Sequence, residues 1–218
     1  MTDTGKTMKI NFSYGWYALL IAMIGDLVIS GILSLFYKDY SSITMSISAL
    51  GNPKSPVRIP FNIWMLAEGL LFLYALPVFY RCYHAVSAKL TVTACIFIAV
   101  FAVGACIFTC FFSVNETKDV VTTASKIHGA GSVIGFMLFL SMLLIMAILS
   151  FKNNEPPFGV LGIICFAAAL FFFVLYVMSD KEEFAGTFIT KEGLWQRLNL
   201  AFMYLPLAAV CVKRIIEK

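Results

Sequence analysis

The chain has 218 residues, 61% hydrophobic and 13% charged, with a mean hydropathy of +0.89. A soluble domain is nearer half apolar and a quarter charged, so the surplus apolar surface must face lipid. The net charge of +4 is modest, and its basic residues are scattered at the ends of apolar segments instead of clustering on one face as in a nucleic-acid binder.

Membrane lipids are therefore the expected partners, and nucleic acid is not. Protein partners are not specified by the sequence. The six cysteines, Cys82, Cys95, Cys106, Cys110, Cys165 and Cys211, avoid the long polar loops and form no CxxC. They fit small packing residues in helices, not a disulfide framework or a zinc ribbon. No phosphate loop, HExxH or GxSxG elbow occurs. The only histidines are His84 and His128, expected on opposite sides of the membrane. No cofactor and no metal site is expected, and no catalytic residue is identified.

A membrane helix needs about 20 mostly apolar residues. Six segments qualify, roughly 14–36, 61–80, 90–112, 128–151, 158–179 and 193–212. The first follows a polar stretch, Met1–Ser13, and is too long for a signal-peptide core, so it reads as a retained span. No repeat or soluble domain is visible. The expected fold is all-α: one bundle of six transmembrane helices in a single domain, 1–218.

Loop lengths alternate. Tyr37–Pro60, Ser113–Ile127 and Asp180–Glu192 are long; Arg81–Lys89 and Lys152–Pro157 are short. Both termini fall on the side of the short loops. The sixteen Lys and Arg residues divide eight and eight, but the short-loop side packs its eight into far fewer residues. The positive-inside rule then places both termini in the cytoplasm of a cell-membrane protein. Trp16, Tyr17, Trp64, Tyr80, Tyr83 and Trp195 lie at span ends, where amphipathic rings settle.

Ionisable groups inside a bilayer are costly and mark functional sites by default. Asp26 lies near mid-depth of the first span. Glu68 is roughly 10 Å below the rim of the second. His128 opens the fourth span, and Arg197 is one turn into the sixth. Asp26, Ser30 and Ser34 form an i, i+4, i+8 stripe. Cys106, Thr109, Cys110 and Ser113 share a face of the third span; His128, Gly131, Ser132 and Gly135 share one of the fourth. Gln196 and Asn199 are one turn apart in the sixth. Unpaired polar groups are expensive in hydrocarbon, so these stripes should face the bundle interior. The expectation is a polar pocket in the outer half, holding Asp26, Ser30, Asn62, Glu68, His128, Gln196, Arg197 and Asn199. Each has a bland reading as well. Glu68 and Arg197 suit a structural ion pair, Asp26 a protonated carboxyl bonded to a hydroxyl, and Gly131 and Gly135 close helix packing.

The loop before the second span is polar and rich in turn residues. Connectors longer than about 12–15 residues tend to be functional or disordered. Ser48, Gly51, Asn52 and Pro53 suit tight turns, while Ile47 and Leu50 can dip into the interface. An ordered cap over the pocket is expected, with Ser48, Leu50 and Gly51 in it and Asn62 at the rim.

One further pattern runs along the chain. Ile47-Ser48-Ala49-Leu50-Gly51 precedes a span that starts Phe61-Asn62 and holds Gly69. His128-Gly129 opens the fourth span, and Gly193-Leu194-Trp195-Gln196-Arg197 opens the sixth. In this order the motifs resemble the prokaryotic six-helix membrane family catalogued as domain of unknown function 998, over nearly the whole chain. The resemblance implies a fold and no established reaction. That family is similar to a eukaryotic six-helix group linked to glycolipid-anchor remodelling, phospholipid distribution and autophagy, which by analogy favours lipid handling over solute transport.

Four functions follow as expectations. The first is binding of a lipid or amphiphile headgroup in the outer pocket, with Arg197, His128, Asn62 and Gln196 on the polar group. The second is proton-coupled transport of a small solute through Asp26 and Glu68, although no inverted repeat is visible. The others are a structural or accessory subunit and a membrane-embedded lipid-modifying enzyme, with an enzyme less expected than a binding protein.

Overall fold

The computed structural model describes residues 14–115 and 121–217. Met1–Ser13 lie outside the described residues, and with them Lys6 and Lys9, as do Lys118 and Lys218. Six helices are long and apolar enough to cross a membrane: α1 (Tyr14–Ser34), α2 (Arg58–Tyr83), α3 (Ala88–Phe111), α4 (Thr123–Lys152), α5 (Pro156–Met178) and α6 (Glu192–Ile216). Among the described residues there is no strand. The protein is a multi-pass membrane protein. Helices of 21–30 residues extend about 30–45 Å at roughly 1.5 Å per residue, which is enough to cross a hydrocarbon core of about 30 Å.

Local chemistry sets the helix ends, and several differ from an apolar-run reading. Helix α2 begins at Arg58 and includes Pro60. Proline is tolerated in a first turn because its missing N–H would have no partner there. Helix α4 begins at Thr123, well before His128. Thr122 Oγ1 accepts from the Ser125 amide at 3.1 Å, and Ser125 Oγ accepts from the Thr122 amide at 3.0 Å. That reciprocal cap starts the helix upstream of the apolar run, so His128 sits more than a turn inside it. Pro156 and Pro157 start α5 from positions where they are pre-set for a helix.

The helices run up and down as a ring. Each packs on its chain neighbours, and α6 closes against α1. Lipid-facing surfaces are apolar, as Ile21, Ile24, Val28 and Ile32 of α1 and Val160, Ile164, Phe171 and Val174 of α5 illustrate. Hydrocarbon does not press helices together, so packing has to hold the ring. Phe72 of α2, Phe101 of α3, Phe139 of α4 and Tyr204 of α6 meet at its centre with ring centroids 4.5–6.3 Å apart. On the short-loop side of this layer, Ala75, Phe79, Ile98, Leu143, Met146, Leu207 and Val210 fill the interior. The long-loop half is not filled in this way.

Small residues let α3 approach its neighbours. A Cβ at Gly104 would stand 2.5 Å from the Gly131 carbonyl of α4, and one at Gly131 would stand 2.8 Å from the Gly104 carbonyl. Helix α3 also carries a π-turn over Ala102–Ile107. Such turns rotate the residues that follow and occur often at functional sites. Here the turn leaves Cys106 and Thr109 buried, while Cys110 is half-buried and Ser113 accepts from Arg58 on the surface at 3.4 Å.

The loop between α1 and α2 is ordered and tied to α6. A 3₁₀ turn spans Ile47–Gly51 and buries Ile47 and Leu50. Gln196 Oε1 accepts from the Ile47 amide at 2.6 Å, and the Leu194 amide donates to Ile43 O at 3.0 Å. Gly193 lies so close under Met45 and Ser42 that a Cβ there would overlap their carbonyl oxygens. Gly51 is confined less tightly, against the Phe61 ring at 2.9 Å and Asn62 Oδ1 at 3.0 Å from where a Cβ would stand.

Candidate functional site

A cavity of about 650 Å³ occupies the long-loop half of the ring. Its deep end holds Asp26 of α1, Glu68 of α2, and Ala105 and Cys106 of α3. Apolar walls come from Phe61, Met65, Phe101, Phe136, Phe173 and Leu200, and loop residues 44–49 with Asn52 form a further wall. Ser48 is therefore at the cavity, while Leu50 and Gly51 are packed behind it.

Two carboxyl groups from different helices share one phenol. Tyr204 Oη donates to Asp26 Oδ2 at 2.8 Å and lies 3.5 Å from Glu68 Oε1. Asp26 is 4% exposed and Glu68 is 0% exposed. Glu68 Oε2 is buried with no hydrogen-bond partner. The Cys106 thiol lies beside the same carboxyl. Uncompensated burial of such a group is costly, so the arrangement stands out from the apolar packing around it.

Arg197 does not pair with Glu68. Its guanidinium lies within hydrogen-bonding distance of the Ser42, Met45 and Gly193 carbonyls at 2.9, 3.3 and 3.0 Å, and of Tyr40 Oη at 2.7 Å. The Tyr40 ring lies under the charge, 5.8 Å from its centroid. Arg197 is thus the pin that holds the loop, and it is not a lining residue. Its charge still acts on Asp26 from behind the wall.

The remaining expected residues divide. His128 and Gln196 line the cavity. His128 Nδ1 lies 3.3 Å from Thr109 Oγ1, whose own proton goes to Ala105 O at 2.6 Å, so the imidazole ties α4 to α3. Gln196 is engaged with Ile47. Ser30, Asn62 and Asn199 are not on the wall. Ser30 Oγ donates to Leu27 O at 3.2 Å within its own helix. Asn199 Nδ2 donates to Ala169 O at 2.8 Å and ties α6 to α5. Asn62 Oδ1 is buried under Gly51 without a partner.

Tyr204 is the residue that sequence reasoning missed. The signal was a tyrosine at mid-span in α6, far from either interface, where a buried hydroxyl needs a partner. Among the described residues, no group of three or more His, Cys, Asp or Glu side chains could hold a metal ion. The cavity also has an apolar edge: Val133 of α4 and Val177 of α5 both line it and are 51% and 46% exposed.

No curated protein and no solved structure matches the chain. A family model described as protein of unknown function (DUF998) matches residues 20–213, nearly the whole six-helix bundle, and the chain belongs to that family.

Proposed function

We propose that the protein binds an amphiphile in the long-loop half of the bundle, with the polar end toward Asp26 and Glu68 and the apolar part along Phe136, Phe173 and Val177. The observation that carries this reading is the cavity itself. Its volume of about 650 Å³ is in the usual range for small-molecule sites, roughly 300–1,000 Å³. Its deep end holds two carboxyl groups, apolar side chains such as Phe61, Met65, Phe136 and Phe173 make up much of its wall, and Val133 and Val177 on that wall are about half exposed. An amphiphile in the bilayer could enter there without crossing water. With the termini in the cytoplasm, as the basic residues favour, the ligand would come from the outer leaflet of the cell membrane.

Proton-coupled transport has one observation in its favour, the Asp26–Tyr204–Glu68 cluster. It would also need a path past the layer of Phe72, Phe101, Phe139 and Tyr204 and the apolar residues beyond it. A binding protein needs none, so binding is the better-supported function.

Native mass spectrometry of the full chain extracted in mild detergent tests the reading. The wild type is expected to retain an amphiphile. Ser132→Trp, which places an indole in the cavity from α4, is expected to lose it at an unchanged unfolding midpoint. A wild type that retains nothing, or a Ser132→Trp variant that retains as much, would overturn the amphiphile reading.

A further inference from the structure

Among the described residues that line the cavity, the charged side chains are all carboxyl groups. Asp26 and Glu68 are at its deep end, and Asp180 and Glu192 are at the long-loop end. No lysine or arginine is among the described residues that line it. Arg197, whose charge acts on Asp26, is turned away and held by the loop carbonyls and Tyr40. His128 is engaged with Thr109. An anionic headgroup at the deep end would meet two carboxyl groups and no lysine or arginine among the described lining residues, an unfavourable like-charge contact.

One acceptor is also left over. The single proton of Tyr204 goes to Asp26, and Glu68 Oε2 is buried without a hydrogen-bond partner, on a residue of the cavity wall whose carboxyl has the weak thiol donor of Cys106 beside it. Charge on a carboxyl pair inside a bilayer must be balanced by a proton or by a cation. An acceptor without a donor asks for an N–H or O–H. We infer that the cavity takes the primary ammonium group of an amphiphile, its N–H groups donating to Glu68 Oε2 and its charge set between Glu68 and Asp26. This rests on the amphiphile reading and adds the headgroup's chemistry. A quaternary ammonium would supply charge but no donor, and an alcohol would supply a donor but no charge. Both should bind more weakly than a primary amine.

The test uses the full chain in phosphatidylcholine nanodiscs, titrated by calorimetry against empty discs with octylammonium, octyltrimethylammonium, octanol and octanoate. Octylammonium is expected to bind at least about tenfold more tightly than the other three, a difference of roughly 1.4 kcal/mol. Glu68→Gln is expected to remove that preference while octanol still binds. Dihexanoyl phosphatidylethanolamine against dihexanoyl phosphatidylcholine separates the sources. A preference for the ethanolamine lipid assigns the ammonium to a lipid headgroup, and parity between the lipids assigns it to a simple amine. Octanoate binding as tightly as octylammonium overturns the inference but leaves amphiphile binding standing. Failure of all the octyl probes to bind overturns both. If Glu68→Gln does not fold, the ranking of the octyl probes on the wild type decides alone.

Discussion

The Tyr204 hydroxyl donates to Asp26 Oδ2 at 2.8 Å, joining residues 178 positions apart in the chain. It is a contact between α6 and α1, the pair that closes the ring. The same tyrosine ring belongs to the central aromatic layer. One side chain therefore joins the packed half of the bundle to the polar end of the cavity.

Tyr204→Phe keeps the ring and removes the donor. It should lower the unfolding midpoint by the equivalent of about 1 kcal/mol, since buried hydrogen bonds in membrane bundles are modest. A double-mutant cycle with Asp26→Leu should be non-additive, because both changes remove the same bond. Additive effects would mean that Asp26 does not hold the hydroxyl.

Arg197 should govern the order of the loop. Its guanidinium reaches three carbonyls and the Tyr40 hydroxyl. Arg197→Ala is expected to speed amide hydrogen exchange across residues 40–49 by about tenfold or more, equivalent to roughly 1.4 kcal/mol of local protection. Arg197→Lys should recover only part of this, since an ammonium cannot reproduce the planar fork. Unchanged exchange in Arg197→Ala would assign the loop's order to Gln196 and Leu194 instead.

The α3–α4 contact should tolerate no side chain at Gly131. Gly131→Val places branched carbon against the Gly104 carbonyl and the Phe108 ring and should destabilise by about 1–3 kcal/mol. Gly129, two residues earlier, has open space around it. Gly129→Ala should be neutral or stabilising, by up to about 1 kcal/mol, because alanine is the better helix former. Thermal unfolding of the two variants in detergent checks the contrast, and equal effects would show that the contact is looser than its geometry.

The helices were readable because lipid demands long apolar runs, and α5 is apolar nearly throughout. Asp26 and Glu68 were readable because a carboxyl in such a run is anomalous by itself. What could not be read was direction. Arg197 lies one helical position from Gln196, and sequence does not say which of them faces the cavity. The α6 packing decides: Gln196 turns inward to the Ile47 amide and Arg197 turns to the loop carbonyls. Tyr204 stands out as a mid-span tyrosine, but its role was hidden for a related reason. Its partners lie on α1 and α2, and the register between those helices and α6 is set by packing, not by any local pattern. Ser30 shows the opposite failure. Its place on a polar stripe suggested the pocket, but a serine in a helix can satisfy its own backbone, as its bond to Leu27 O does. The π-turn of α3 left no proline or glycine pair to betray it, yet it changes the face that Cys110 and Ser113 present.

At the short-loop end, Glu155 should make stability depend on pH. It lies between α4 and α5 and accepts from Lys213, and from Arg214 at 2.7 Å, both on α6. Burial alone would raise its pKa. The hydrogen bonds from Lys213, Asn153 and Arg214, together with the Arg214 charge, outweigh it and hold the carboxyl below its ordinary 4.5. A carboxylate with a depressed folded pKa adds stability that is fully present above the unfolded value and is lost as the pH falls through the folded one. Glu155→Gln should therefore lower the unfolding midpoint at about neutral pH, by the equivalent of roughly 2 kcal/mol for charged hydrogen bonds of this kind. The difference from wild type should hold down to pH 4.5 and shrink below it, as the wild-type carboxyl takes up its proton. Midpoints measured across that range check the sign. A gap that is constant into the acid range would mean that Glu155 acts through packing and not through charge.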